Sequence, residues 1–397
     1  MEKKKFHLEL GEPVAVAQGE NSGWGPYQFP KMFRTKSGAI YCNWLMGADT
    51  VEGGGRIQGA PNAVSDDDGK TWRAVTPEDT VAYDAMMPNG KAFAYFNAKS
   101  AHTFDYDLGK YNKACDGIQN TGVYFADDIK ELDRSISATE YDPATGEKQS
   151  FPVTLNWPYM PVSYYRRSTG DLVYPPCQVM AISNYVGLLK LDDGLYFCTY
   201  TRGFDSKTGE VTKYSKYFSV YVFRTTDCAR TWDYVSQVSI DDETFIDNGG
   251  FEGFCESKME KMPDGSVVML MRTGGNHPSY LVRSTDNCRT WSKPVLFDSI
   301  GVFPQILALD CGVTIAAYGR PEMHLRATSD PAGLDWEAPI RMELSPGEGC
   351  QSCYYTYLLP LDGNTALMVY SDFHFPNENG EPKKSIVVRT IKAVIDD

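Results

Sequence analysis

Short stretches of alternating apolar and polar residues recur along the whole chain, each closed by a turn residue. The commonest form is an apolar strand, a turn ending in glycine, and a second apolar strand. Copies centre on Gly38 (MFRTKSGAIYCNW), Gly90 (AMMPNGKAFAYF), Gly194 (LLKLDDGLYFCTY), Gly265 (KMEKMPDGSVVML), Gly312 (ILALDCGVTIAAY) and Gly363 (LLPLDGNTALMVY). N-G and D-G turns favour hairpins because glycine takes a positive φ without steric cost. The flanks are rich in β-branched and aromatic residues, as strands require. Successive glycines lie 47 to 104 residues apart. A period near 50 residues is enough for one four-stranded sheet, so six copies predict an all-β, six-bladed β-propeller. Residues 97–180, rich in Asp, Pro, Tyr and Asn, break the rhythm and are expected to form an irregular insertion. The whole of 1–397 is read as one domain. A strand near Leu8 to Ala17 is expected to complete the last blade, since an open ring would leave strand edges exposed.

A second motif follows the hairpins. Ser65-Asp66-Asp67-Asp68-Gly69-Lys70-Thr71-Trp72 fits S/T-x-D-x-G-x-T-W at every fixed position. Thr225 to Trp232 fits with Ala229 in the glycine place, and Ser284 to Trp291 with Cys288 there. Thr328 to Trp336 is a longer, degenerate copy. The motif resembles the Asp box, or BNR repeat, of sialidases and related propellers. Its residues suit a structural task. The carboxylate can accept backbone N–H groups in a tight turn, and the Trp can pack between strands. Asp67, Asp227, Asp286 and Asp330 are therefore expected to staple turns, away from any active site.

The chemistry is expected at the other ends of the hairpins. Glu256 and Arg272 stand sixteen residues apart around the D-G turn at Gly265. Strand pairing brings both to the end away from the turn. This resembles the sialidase arrangement of a Glu and a carboxylate-binding Arg. By the same resemblance, Arg320 is a second substrate-binding Arg. Tyr354 is the nucleophilic Tyr, with Tyr355 adjacent and the register open by one residue. Asp49 is the acid/base, with Glu52 as runner-up, in a Gly-rich loop (Gly53-Gly54-Gly55) suited to covering the mouth. The resemblance departs at the first blade. Sialidases carry Arg-Ile-Pro there, whereas this chain reads Gln28-Phe29-Pro30. A neutral amide occupies the place of one clamping Arg, and Arg34 or Arg56 could substitute for it.

Composition narrows the partners. The net charge of −14 argues against a nucleic-acid or anionic-membrane partner, which would require a basic face. Hydrophobic residues at 42% and charged residues at 23% describe an ordinary globular chain. The basic start, Met1 to Phe6, is followed by no apolar segment of a signal peptide, so the chain is expected to be soluble and cytoplasmic. Ten irregularly spaced cysteines fit buried thiols. Cys350 and Cys353 lack the further ligands of a zinc site, so neither a metal nor an organic cofactor is expected. The resemblance implies a retaining exo-glycosidase that uses a Tyr nucleophile with a Glu base and an Asp acid/base. It would act on the terminal sugar of an oligosaccharide or glycoconjugate, an acidic sugar being one candidate. Two alternatives stand beside it: a propeller glycosidase or lyase acting on a neutral or uronic-acid glycan, and a non-catalytic carbohydrate-binding propeller.

Overall fold

The computed structural model describes residues 3–19, 27–34, 37–45, 62–75, 85–97, 111–113, 119–129, 136–142, 145–166, 172–173, 188–320, 322–343 and 355–396. Among these the chain is nearly all β, with one three-residue 3-10 turn at Ala126–Asp128. The first two strands are β1 (Phe6–Leu10) and β2 (Val14–Gln18). A four-stranded antiparallel meander follows: β3 (Gln28–Arg34), β4 (Ile40–Leu45), β5 (Asn62–Ser65) and β6 (Arg73–Val75). The next strands are β7 (Ala85–Met86), β8 (Ala92–Asn97), β9 (Tyr111–Lys113), β10 (Gln119–Phe125), β11 (Ile136–Tyr141), β12 (Lys148–Asn156), β13 (Tyr159–Arg166) and β14 (Leu172–Val173). Here the order splits. β7, β8, β11 and β12 form one meander, while β9, β10, β13 and β14 form a sheet of their own. The interval 97–180 is thus not a single irregular insertion, because β11 and β12 within it belong to the repeating pattern.

The pattern then runs regularly. β15 (Leu189–Leu191), β16 (Gly194–Arg202), β17 (Phe218–Thr225) and β18 (Thr231–Val238) form one unit. β19 (Phe251–Lys261), β20 (Val267–Gly274), β21 (Ser279–Ser284) and β22 (Val295–Asp298) form the next. β23 (Val302–Ala308), β24 (Thr314–Gly319), β25 (Met323–Thr328) and β26 (Ile340–Glu343) form another. β27 (Thr356–Pro360), β28 (Thr365–Pro376) and β29 (Pro382–Ile395) are completed by β1, which pairs Phe6 with Ile395 and Leu10 with Ile391. β2 also pairs with β29. The N-terminal segment therefore joins the last sheet, as the edge-strand argument requires.

Successive units pack face to face. Met259, Met269 and Val282 share a cluster with Cys198, Val220 and Val222 of the preceding unit. On its other face the same sheet buries Val268, Leu270 and Leu281 against Ile306, Ala316 and Tyr318. This two-sided cover explains why β20 (VVMLMRTG) is buried at every residue instead of alternating. The first strands of the units lie side by side, β15 against β19, β19 against β23, β23 against β27 and β27 against β3.

The S/T-x-D turns are stapled as expected. Asp67 accepts the Ser65 hydroxyl at 2.8 Å, and the N–H and hydroxyl of Thr71 at 2.9 and 2.7 Å. These Thr71 bonds, aided by Ser65, hold the Asp67 carboxylate down at about 2. Asp286 repeats the geometry with Ser284 and Thr290, and Asp227 takes the N–H of Thr231 at 2.8 Å. Trp232 is fully buried and stands edge-on to Phe197 at 4.7 Å.

One close approach sets how β17 meets β19. Gly253 pairs in parallel with Phe218 at a φ of 85°, and a Cβ there would lie 2.6 Å from the backbone N and O of Phe218. Gly253→Ala is expected to cost about 2 kcal/mol or more, from the left-handed conformation plus the backbone clash. Urea unfolding would measure it, and a loss below about 1 kcal/mol would contradict the close approach.

Candidate functional site

The site is built on an irregularity shared by three first strands. In β3, β19 and β23 the ladder register slips near the strand start: between Gln28 and Lys31, between Cys255 and Lys258, and between Val302 and Gln305. At each slip a non-glycine residue takes a positive φ: Phe29 at 51°, Glu256 at 42° and Phe303 at 49°. Such bulges bend the strand and re-aim its side chains. All three residues lie nine positions before a hairpin glycine, Gly38, Gly265 and Gly312. They are therefore equivalent, one per meander, at the same end of their strands.

Glu256 is the polar member of that set. Its Oε1 lies 2.7 Å from Nη1 of Arg272, and its Oε2 accepts the N–H of Phe303 at 3.2 Å, which links two meanders through one carboxylate. Arg272, on β20, is 7% exposed. Its Nε donates to the carbonyl of Gly274 at 3.1 Å, and its Nη2 lies 3.7 Å from Glu252. Burial disfavours the guanidinium charge, but Glu256 and its neighbours outweigh this and raise the pKa well above the usual Arg range. The ion pair is thus buried, charge-assisted and braced by two further hydrogen bonds.

Aromatic rings close around it. Tyr355 is buried, with its ring 4.2 Å from Phe29 and 5.2 Å from Phe303, centroid to centroid. Strand pairing sets its register. Counted from the turn, Tyr355 lies five residues before Pro360 as Glu256 lies five before Lys261; across the ladder its carbonyl accepts the Ser371 N–H, so it faces the place of Arg272 as Cys255 does. Tyr200, on β16, holds the position of Arg272 in the preceding meander, since Leu195 faces Thr225 as Val267 faces Ser284. Its ring packs edge-on to Phe218 at 5.1 Å. Burial, with the nearby Glu256 and Cys255, pushes its phenol well above 10.

The structure thus brings Glu256 and Arg272 together as the sequence suggested. Gln28 is buried, 1% exposed, and neither Nε2 nor Oε1 has a hydrogen-bond partner among the described residues. Arg320 directly follows β24, is half-buried, and makes no ion pair among the described residues. Asp49, Glu52, Arg56 and Tyr354 lie outside the described residues. Arg34 is taken up by Asp68 at 2.9 Å and the Gly38 carbonyl at 3.0 Å, so a structural bond occupies the side chain considered as a substitute clamp. Sequence reasoning missed Tyr200, Glu252 and the two phenylalanines. The signal for Tyr200 was available: it lies five residues beyond the strand residue that faces the Thr225 of its motif, as Arg272 lies five beyond the residue facing Ser284.

Farther along β19, Glu260 is half-buried opposite Val268. Burial pushes its carboxyl from 4.5 up to about 7, against the weaker pull of Lys258. Between about pH 4.5 and 7 the unfolded chain releases a proton that the folded chain keeps, so stability falls as pH rises through that window and is level above it. Glu260→Gln removes the effect. It is expected to match the parent near pH 4 and to be more stable by about 1–3 kcal/mol at pH 8, read from urea midpoints. A variant no more stable at pH 8 would show the carboxyl to be solvated.

No family model matches the chain, and no curated protein matches it. Solved structures do. A protein of unknown function from Dyadobacter fermentans aligns over 98% of this chain and 99% of its own, with 14% identity and a TM-score of 0.54. The GH93 α-L-arabinofuranosidase of Fusarium graminearum, solved with arabinobiose, aligns over 96% of this chain and 98% of its own, with 12% identity and a TM-score of 0.50. The NanB sialidase of Streptococcus pneumoniae aligns over 96% of this chain and 70% of its own, at 13% identity; its TM-score of 0.48 is too loose a likeness to carry argument. At these identities the likeness is one of fold, propeller-like and nearly all β.

Proposed function

We propose that this chain is an exo-acting, retaining glycoside hydrolase of sialidase-like build, a single six-bladed propeller spanning 1–397. The repeated four-stranded meanders, their face-to-face packing and the entry of β1 into the last sheet support the ring. The observation that carries the function is the buried Glu256–Arg272 pair at 2.7 Å, set at the bulged end of adjacent strands beside Tyr355. A buried ion pair is a poor stabiliser compared with apolar packing. A pair held on bulged, positive-φ backbone is better explained by chemistry than by folding.

In this reading a tyrosine attacks the anomeric carbon and Glu256 takes its proton. Two of the lone-pair sites of the Glu256 carboxylate are engaged by Arg272 and Phe303, which leaves others for a phenol. Asp49 protonates the departing oxygen and then activates water. Arg272 and Arg320 orient the sugar. We assign the nucleophile to Tyr355 instead of Tyr354, because its ring packs against Phe29 and Phe303, the bulge residues that correspond to Glu256 on their own strands. The test is a panel of 4-nitrophenyl glycosides with NMR detection of the first anomer released. Hydrolysis with retention supports the reading. Binding of sugars without release of nitrophenol would make the chain a lectin, and inversion would exclude the tyrosyl intermediate.

A further inference from the structure

We infer that the sugar held at this site is neutral where a sialidase substrate carries its carboxylate, and that Gln28 reads a hydroxyl there. The inference deepens the glycosidase reading and rests on the same site.

The first observation is the Gln28 side chain. It is 1% exposed, yet its donor and its acceptor both lack a partner among the described residues. A buried amide left without hydrogen bonds is costly, and in a native protein it needs an explanation. Its place in the fold supplies one. Gln28 directly precedes the bulge residue Phe29, whose ring lies 4.2 Å from that of Tyr355. It is also equivalent by register to Cys255, which faces Arg272 across the hairpin. An amide presents an N–H and a C=O side by side, and a sugar hydroxyl, which both donates and accepts, satisfies both. A carboxylate only accepts, so it would set its charge against the amide oxygen.

The second observation is independent and electrostatic. Arg272 is already neutralised. It meets Glu256 at 2.7 Å and Glu252 at 3.7 Å, one cation against two carboxylates, and its Nε is spent on the Gly274 carbonyl. Adding Arg320 brings these described groups to zero net charge, not to a cationic clamp. Among the described residues an incoming carboxylate would find no excess positive charge, and it would lose its hydration. A polyol would lose far less.

The test compares the full-length chain with Gln28→Leu and Gln28→Arg on matched aryl glycosides: neutral pentosides and hexosides, a glucuronide and an N-acetylneuraminide. Expected for the parent is a kcat/KM on its best neutral glycoside at least about 100-fold above that on either acidic one. Gln28→Leu should lower the neutral value about 10- to 100-fold, mostly through KM, while its melting temperature holds or rises because an unpaired amide is gone. Gln28→Arg should narrow the neutral-to-acidic ratio at least about tenfold. Preference of the parent for an acidic glycoside, or unchanged neutral kinetics in Gln28→Leu, overturns the inference. If no glycoside is cleaved, the hydrolase reading falls alone. Saturation-transfer NMR with the free sugars then decides. Binding of a neutral sugar that Gln28→Leu weakens upholds the inference, whereas preferred binding of N-acetylneuraminic acid, or of neither class, overturns it.

Discussion

Glu256→Ala is expected to lower the unfolding free energy by about 3–5 kcal/mol and to abolish hydrolysis. The larger part of the loss lies with Arg272. Its guanidinium is buried and charged at any accessible pH, and without Glu256 it keeps, among the described residues, only Glu252, at 3.7 Å, as an acidic partner. Truncation strands this charge and frees the Phe303 N–H as well. Glu256→Gln separates the two terms, since an amide oxygen can still accept from Phe303 but brings no charge to Arg272. Glu256→Gly separates a third. The residue sits at a φ of 42°, where any side chain costs about 1–2 kcal/mol, so glycine should be less destabilising than alanine by roughly 1 kcal/mol. Urea unfolding of the three variants at unchanged m-value gives the ranking directly. An alanine variant within about 1 kcal/mol of the parent would mean that the pair is solvated and the site open to water.

Much of this was legible in the sequence, and the exceptions share a cause. Hairpins showed because glycine supplies positive φ where a turn demands it, as at Gly265 and Gly312. The stapling role of Asp67 and Asp286 showed because local side-chain-to-backbone bonds depend on nearest neighbours alone. Glu256 and Arg272 showed because two strands joined by a short turn have few possible registers. The bulges did not show. Phe29, Glu256 and Phe303 take positive φ without being glycine, so nothing in their chemistry announces the conformation; packing between meanders imposes it. The electrostatic neighbours of Tyr200, Cys255, Glu256, Arg272 and Tyr355, lie far along the chain in other strands, so only its register in the meander pointed to it. The last hairpin differs from the others in its turn. Its turn is closed by the Leu361 N–H to the Thr365 carbonyl, as Met262 closes onto Ser266, but the glycine stands one place earlier and lacks the positive φ of Gly265. Counting back nine residues from Gly363 therefore lands on Tyr354, whereas counting back from the turn-closing Leu361 as from Met262 lands on Tyr355.

That one-residue difference yields the most discriminating experiment. Tyr355→Phe is expected to reduce kcat/KM at least about a thousandfold on the best glycoside of the panel, while Tyr354→Phe changes it less than about tenfold. Stability should hardly respond. The Tyr355 ring lies between Phe29 and Phe303, and phenylalanine keeps both ring contacts while losing only the hydroxyl. A drop in rate without a drop in melting temperature therefore isolates the phenol as a reacting group. A 2-fluoro glycosyl fluoride of the preferred sugar should slow turnover of the covalent intermediate enough for peptide mapping to place the label. Label on Tyr355 upholds the assignment. Label on Tyr354 would move the nucleophile one residue earlier and leave Tyr355 as a ring packed against Phe29 and Phe303. Label on Tyr200 would move the nucleophile to β16, across Glu256 from the last meander, and would make Tyr355 a platform for the sugar. Each outcome predicts a different silent variant, so kinetics and mapping check one another.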